Sequence, residues 1–407
     1  MKVRFIFPMW PKIPEQTPFT LPPLGVIQAA ACIPREHEVT LCDENVEPVD
    51  LGEEADLDGI SVMLTSQAPR AYEMAEALRA RGRTVVLGGQ HVTLCPEEAA
   101  LHADAVVVGE GEGLIERLVQ DHEAGRLRKV YRRDGRADLA AIPLPRRDLL
   151  DKRRHYTQRG WEMVDLLQSS RGCRFNCYPC SVSWLEGSAQ RRRRIEDTLA
   201  DVERCGERIF LVDNSLDQDL PYQRELLGAL AGSGKRWISH PIHPDEFMMK
   251  LARDAGWWYV YLAIYKINEQ VRDRIRMYHD HGIAVEGTIM LGLDAHTEGF
   301  IRELIDFLLK IELDLAEFTV LTPFPHTRCW EQFEREGRII DRDWSHYNAA
   351  TVVFRPASMA AERLQELYAE AWEAFYGMES QTSRMGKLLL SALKTSGRRR
   401  RGLDGGG

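Results

Sequence analysis

The sequence predicts an α/β protein: an N-terminal doubly wound parallel sheet, then a partial β/α barrel, then a mainly helical C-terminal region. Three observations carry this. Short apolar runs alternate with amphipathic stretches over the first 115 residues or so. The alternation then stops in a basic, proline-bearing stretch and resumes beyond it. Strands that alternate with helices pair in parallel, because each crossover helix returns the chain to the same end of the sheet. At 407 residues the chain has room for two or three such domains.

In the N-terminal part, VRFIF (3–7), EVTLCD (38–43), GISVML (59–64), TVVLGG (84–89) and AVVVGEG (105–111) read as five buried strands. LGVIQAAACI (24–33) and RAYEMAEALRAR (70–81) have helical spacing. These elements make a Rossmann-like domain over 1–125. The opening MKVRFIFPMWPKIP meets prolines and no small-residue cleavage site, so it reads as a first strand and not as a signal peptide. In an open parallel sheet ligands bind beyond the carboxyl ends of the strands. Those ends are the proline-rich loop to Gly25, Thr65-Ser66-Gln67, Gly88-Gly89-Gln90-His91 and GEGEG (109–113).

Residues 126–160 lack periodicity, are basic and carry prolines, which predicts a linker. A partial barrel is expected over 161–327. VDLLQSS (164–170), RIFLVDNS (208–215), WISHPI (237–242), WYVYLAIY (258–265), AVEGTIML (284–291) and AEFTVLTP (316–323) read as its strands, with amphipathic helices between them. Residues 328–393 read as mainly helical, MAAERLQELYAEAWEAFYGM being the clearest helix. The charged, glycine-rich end at 394–407 is expected to be disordered, its four arginines solvated rather than holding an anion.

Hydrophobic content of 44% and charged content of 28% are those of an ordinary soluble protein. A formal net charge of -9 argues against nucleic acid as a partner. No apolar run approaches the ~18 residues of a membrane span. Cys32, Cys42, Cys95, Cys205 and Cys329 are scattered and too dilute for a disulfide framework, which predicts a reducing, cytoplasmic setting.

The other three cysteines lie together. SSRGCRFNCYPCSV (169–182) places Cys173, Cys177 and Cys180 just after the first barrel strand. Thiolates select zinc, copper(I) or iron–sulfur clusters. A structural zinc site asks for four ligands, commonly two separated pairs, and no fourth cysteine is near in sequence. Three thiolates suit a [4Fe–4S] cube with one iron free of protein, open to a substrate or cofactor. Gly172 and Asn176 tolerate the backbone turns that wrapping a cube requires.

A CxxxCxxC motif after the first strand of a β/α partial barrel resembles the radical S-adenosylmethionine superfamily. PPLGVIQAAA, VTLCDENVEP, VVLGGQHVTLCPEEA and ADAVVVGEGEG resemble the cobalamin-binding domain that precedes the radical domain in one large branch. SRGCRFNC, IFLVDN, LTPFPHT and the EGRIIDRDW segment are also similar to that branch. The resemblance implies a [4Fe–4S] cluster on Cys173, Cys177 and Cys180, whose open iron chelates S-adenosylmethionine. An electron then cleaves the sulfonium to give methionine and a hydrogen-abstracting 5′-deoxyadenosyl radical. An external low-potential donor of flavodoxin or ferredoxin type is implied as well.

The resemblance also implies cobalamin over Gly88, Gly89, Gln90 and His91, with Thr65, Ser66 and Gln67 under its lower face. The alternative for the glycines is a tight strand-to-helix turn. The Asp-x-His-x-x-Gly signature is absent, so no histidine from that motif reaches cobalt. Gly109, Glu110 and Gly111 match the family's GEGE turn or serve as helix-start chemistry. Asp213 and Asn214 end a strand at the barrel mouth and are assigned to S-adenosylmethionine or substrate. Ser181 is placed at the cofactor. Arg191 to Arg194 read as a solvated helix start or as the source of one carboxylate partner.

Three departures from the family pattern stand out. Pro179 replaces the usual aromatic before the last cysteine, with Tyr178 beside it as a substitute for adenine packing. Ala263-Ile264-Tyr265-Lys266 stands where Gly-Ile-Glu-Ser is typical, removing a carboxylate and adding an ammonium. Lys266 either holds a carboxylate or snorkels off a strand end. His326 stands where glycine is usual in TPFPHT, as an acid–base group or a hydrogen-bonded loop histidine. Tyr265, Lys266 and His326 are the candidate catalytic residues. The leading expectation is a cobalamin-dependent C-methyltransferase acting on an unactivated carbon of a small-molecule, natural-product or lipid substrate. The rivals are a radical cyclase, rearrangement or carbon–carbon coupling enzyme, and a non-catalytic cluster- or zinc-binding scaffold.

Overall fold

The structure, a computed structural model, describes residues 1–11, 19–150, 156–158, 161–162, 164–311 and 313–377. Within these, one compact unit comprises 1–11, 19–205 and 322–348, and a second comprises 206–321 and 349–377. Parts of the expected linker (151–155, 159–160), the end of the expected helical region (378–393) and the tail (394–407) lie outside the described residues.

The first unit is built on β1 (Lys2–Phe7), β2 (Glu38–Asp43), β3 (Leu57–Ser61), β4 (Thr84–Gly88), β5 (Ala105–Val108) and β6 (Val130–Arg132). They lie in the order β2-β1-β3-β4-β5-β6, every neighbouring pair parallel. The chain winds outward from β1 in both directions, so the carboxyl ends of β1 and β3 form a topological switch point. Successive residues feed opposite faces. Ile6, Leu87 and Val106 pack beneath the helix Ala68–Arg79, whose Ala71, Met74, Ala75 and Leu78 face them. Phe5, Val86 and Val107 pack on the other side against Val26, Leu118 and Val119. Helices on both faces explain why these strands read as continuous apolar runs.

β6 falls in the stretch the sequence presents as linker. Of its residues only Tyr131 is buried, and a three-residue edge strand flanked by Arg and Lys has no readable alternation. A short strand, β7 (Asp165–Leu167), then leads into the cysteine loop.

In the second unit β8 (Arg208–Leu211), β9 (Arg236–Ser239), β10 (Trp257–Ala263), β11 (Ala284–Leu291) and β12 (Leu315–Val320) lie side by side in sequence order, all parallel. The helices Leu220–Leu230, Glu246–Ala255, Glu269–Asp280 and Glu298–Lys310 connect them. Each begins on a polar cap: Asp219, Asp245, Asn268 and Thr297 accept from the backbone N–H three residues on, satisfying a donor the helix cannot. These are repeated β–α units, with sites expected at the carboxyl ends of the strands. The helix Ala361–Tyr376 packs Trp372 and Phe375 edge-to-face against Phe318 of β12, ring centres 5.7 and 6.0 Å away. Among the described residues no helix is long and apolar enough to cross a membrane.

Candidate functional site

Ser170–Arg171 pairs antiparallel with Arg191–Arg192, which closes the cysteine segment into a loop beyond β7. Gly172 has φ +87°, and a Cβ there would lie 2.2 Å from the carbonyl oxygen of Ala189, so only glycine fits. Asn176 also adopts a left-handed backbone, at φ +45°. The Cys173 N–H donates to the carbonyl of Gly187 at 3.0 Å, and the Ser183 hydroxyl donates to the carbonyl of Cys173 at 2.7 Å. The helix Arg328–Arg335 holds the far side. Arg328 donates to the Asn176 carbonyl at 2.7 Å, and the Tyr178 hydroxyl donates to the Cys329 sulfur at 3.3 Å. Ser181 precedes the short helix Val182–Glu186, its carbonyl accepting from the N–H of Leu185 at 2.9 Å.

Cys173 is half-buried, while Cys177 and Cys180 are exposed as residues. Desolvation around the Cys180 thiol nevertheless pushes its pKa up, and the nearby Cys173 and Cys177 push it further. Cys173 and Cys177 thus lie close enough to Cys180 to act on its charge, which puts the three sulfurs in one neighbourhood. Among the described residues no three His, Cys, Asp or Glu side chains converge on a single ion. A structural zinc asks for a fourth protein ligand, whereas three thiolates can each take one iron of a cube and leave the fourth iron open. The donor set fits a cluster.

The loop is strapped at both flanks to the GEGEG turn after β5. Arg171 donates to Glu112 at 2.7 Å and lies 3.6 Å from Glu110. Arg191 makes two bonds to Glu110, one of 3.1 Å, and another to the carbonyl of Ala137 at 2.8 Å. The Ala137 N–H completes the Glu110 carboxylate at 2.6 Å. Burial pushes the Glu110 carboxyl up, but the bonds from Arg191 and Ala137 with the Arg171 charge outweigh it. It sits below the ordinary glutamate value. Of the neighbouring arginines, Arg193 pairs with buried Asp201, and exposed Arg194 with half-buried Asp197.

At the switch point Thr65, Ser66 and Gln67 form a buried 3-10 turn beyond β3. Gln67 donates to the Pro8 carbonyl at 2.5 Å and accepts from the Leu64 N–H at 2.9 Å, tying the end of β1 to the end of β3. The Ser66 hydroxyl is buried with no partner among the described residues. Gly89, at φ +107°, would place a Cβ 2.5 Å from the Val62 carbonyl oxygen, so the turn itself demands glycine there. Gly88 is different: its Cβ would meet only ordinary contact, 3.8 Å from Val107. Gln90 is exposed. His91 is fully buried, its Nε2 lying 3.1 Å from the Tyr72 hydroxyl and 3.7 Å from Glu98, to which the Trp344 indole donates at 2.9 Å. Gly109, at φ +87°, faces open space, and Gly111 packs under Ile115. An unpartnered buried hydroxyl, a glycine that packing does not require and an open turn together fit a flat ring laid over the strand ends.

Gly109, Glu110 and His326 meet in a cleft of about 580 Å³ in the first unit, with Arg136 and Trp184 on its wall. His326 is exposed and left-handed, at φ +58°. In the second unit, Asp213 (fully buried) and Asn214 follow β8, and exposed Tyr265 and Lys266 follow β10. Two groups there went unremarked in the sequence. Glu286, 1% exposed, points from β11 to accept from the Tyr259 hydroxyl. His240, just past β9, lies against Phe210 and Tyr261 at 6.1 and 6.2 Å, and burial lowers its pKa despite Asp217. A charge inside an apolar strand and a histidine at a strand end were the available signals.

Residues 15–119 match the B12 binding domain family. Most of the chain is similar to bacteriochlorophyllide d C-12(1)-methyltransferase of Chlorobaculum tepidum, 25% identical over 379 residues that cover 87% of this chain and 82% of that protein. It is also similar to bacteriochlorophyllide d C-8(2)-methyltransferase of the same organism, 27% identical over 373 residues and covering 84% and 82%. Among solved structures it resembles the radical S-adenosylmethionine methyltransferase TsrM from Kitasatospora setae with cobalamin and [4Fe-4S] cluster bound. The TM-score is 0.63 at 16% identity, over 82% of this chain and 75% of that one.

Proposed function

The chain belongs to the radical S-adenosylmethionine superfamily, in the branch with an N-terminal cobalamin-binding domain, and on that premise we propose that it is a cobalamin-dependent C-methyltransferase acting on a small molecule. The observation that carries this reading is the open-sided trio Cys173, Cys177 and Cys180, held on the same unit as a cobalamin-type switch point. The similarity to methyltransferases along most of the chain supports it.

When bound, the cluster supplies the electron that cleaves S-adenosylmethionine, and cobalamin supplies a carrier for the methyl group. The protein's own residues then have distinct tasks. Cys173, Cys177 and Cys180 hold three corners and leave one to S-adenosylmethionine. Asp213, Asn214 and Ser181 bind its polar groups, and Tyr178 flanks the adenine. Thr65, Ser66, Gln67, Gly88 and Gly89 seat the corrin, with Gln90 at its edge; buried His91 braces the turn beneath. Lys266 and Tyr265 orient the substrate or the cofactor's carboxylate, and His326 moves a proton at the cleft. A reducing cytoplasm and a flavodoxin- or ferredoxin-type donor complete the proposal.

Anaerobic reconstitution with cobalamin tests it. Brown protein that turns S-adenosylmethionine into both S-adenosylhomocysteine and 5′-deoxyadenosine, with a methylated product, is the expected result. 5′-Deoxyadenosine alone would move the assignment to a radical reaction without methyl transfer. Colourless zinc protein would end it. The single substitutions Cys173→Ala, Cys177→Ala and Cys180→Ala should each abolish S-adenosylmethionine cleavage.

A further inference from the structure

The turn after β5 lies at a strand end where a cobalamin contact is expected, yet Glu110 and Glu112 are already committed elsewhere. Their side chains are 9% and 10% exposed. They engage Arg171, immediately before Gly172-Cys173, and Arg191, on the strand that closes the loop. Both arginines are themselves 23% exposed or less. The Ala137 segment joins the same carboxylate, through its N–H to Glu110 and its carbonyl to Arg191. A charge left in such a place without its partner is costly, so the arrangement is all or none. It joins the two ends of the cysteine loop to one rigid turn of the cobalamin-type sheet, whose backbone leaves β5 at Val108.

We propose that Glu110 and Glu112 are positioning residues: they clasp Arg171 and Arg191 and so hold the cluster loop in register on the cobalamin-binding sheet, without touching cobalamin. This rests on the reading that Cys173, Cys177 and Cys180 ligate iron. The clasp sets where the loop's sulfurs stand relative to the strand ends, and hence the separation of two cofactor sites built on different segments of chain. Guanidinium–carboxylate pairs suit this because their forked geometry fixes direction as well as distance.

The test uses the full chain with Glu110→Ala and Glu112→Ala, each also made as Gln. Iron per chain and its loss to a chelator, cobalamin per chain, and the electron paramagnetic resonance spectrum of the reduced cluster are measured. In the iron-free protein, tryptic cleavage after exposed Arg174 is followed as well. Iron loss and cleavage should both quicken about tenfold or more, as expected when a buried ion pair is broken. The reduced-cluster spectrum should broaden and cobalamin content should match wild type. Loss of cobalamin with normal iron retention and cleavage would make Glu110 a cobalamin contact and overturn the clasp, as would no change in any measurement. If the alanine variants do not fold, the glutamine variants, equal in size but uncharged, decide by the same criteria. Wild-type protein that takes up no iron would sink the functional reading alone, since the cleavage rates still report on the clasp.

Discussion

Gly172 shows how one residue can hold a site's geometry. Its backbone lies at φ +87°, and the nearest obstacle to a side chain is the Ala189 carbonyl oxygen at 2.2 Å. Neither can relax without opening the hairpin that closes the loop. Gly172→Ala should therefore cost about 2–3 kcal/mol of stability and strip iron from the protein; urea unfolding and iron analysis check the two. Glu110 predicts a pH dependence. Its folded pKa lies below the ordinary glutamate value, so its contribution is fully present above that ordinary value of ~4.3 and disappears as pH falls through the lower, folded one. Wild type should accordingly lose its stability advantage over Glu110→Gln below about pH 4, as read from urea midpoints across pH.

At the scale of elements, Arg147 binds the cysteine-bearing strand to its surroundings. The buried guanidinium donates to Asp201 at 2.8 Å, Asp165 at 3.3 Å and the Leu166 carbonyl at 2.8 Å, joining β7 to the helix Ile195–Glu203. Arg147→Met would leave Asp165 buried without this cation, so a loss of about 3–5 kcal/mol is expected, measurable by denaturant unfolding. The capped helices of the second unit are built from smaller increments. Asp245→Ala removes the bond to the Met248 N–H and should cost about 1 kcal/mol, with little effect on bound cofactors.

For the whole molecule, the two proposed cofactor sites are made by different stretches: the switch point by Pro8 and residues 64–67 and 88–111, the loop by 171–191 and the helix Arg328–Arg335. They should load independently. A triple variant, Cys173→Ala with Cys177→Ala and Cys180→Ala, should bind cobalamin as wild type does while retaining no iron. Co-loss of cobalamin would contradict that independence.

Much of this was legible in the chain. Apolar runs of strand length, helical spacing between them and the CxxxCxxC cluster are local patterns, and a local pattern is all that period and ligand spacing require. What only the tertiary structure decided is which distant residues share a place. Glu110 looks like half of a glycine-rich turn until its partner arrives from Arg191, 81 residues away. Gly89 reads as a glycine chosen for a ring until the Val62 carbonyl beside it shows that the turn demands it as well, and His91 as part of the ring's seat until Tyr72 and Glu98 enclose its imidazole. β6 hides among arginines because an edge strand needs little apolar sequence. Burial patterning and ligand spacing are written along the chain, but pairing of buried charges depends on topology, which brings together residues that no short stretch of sequence relates.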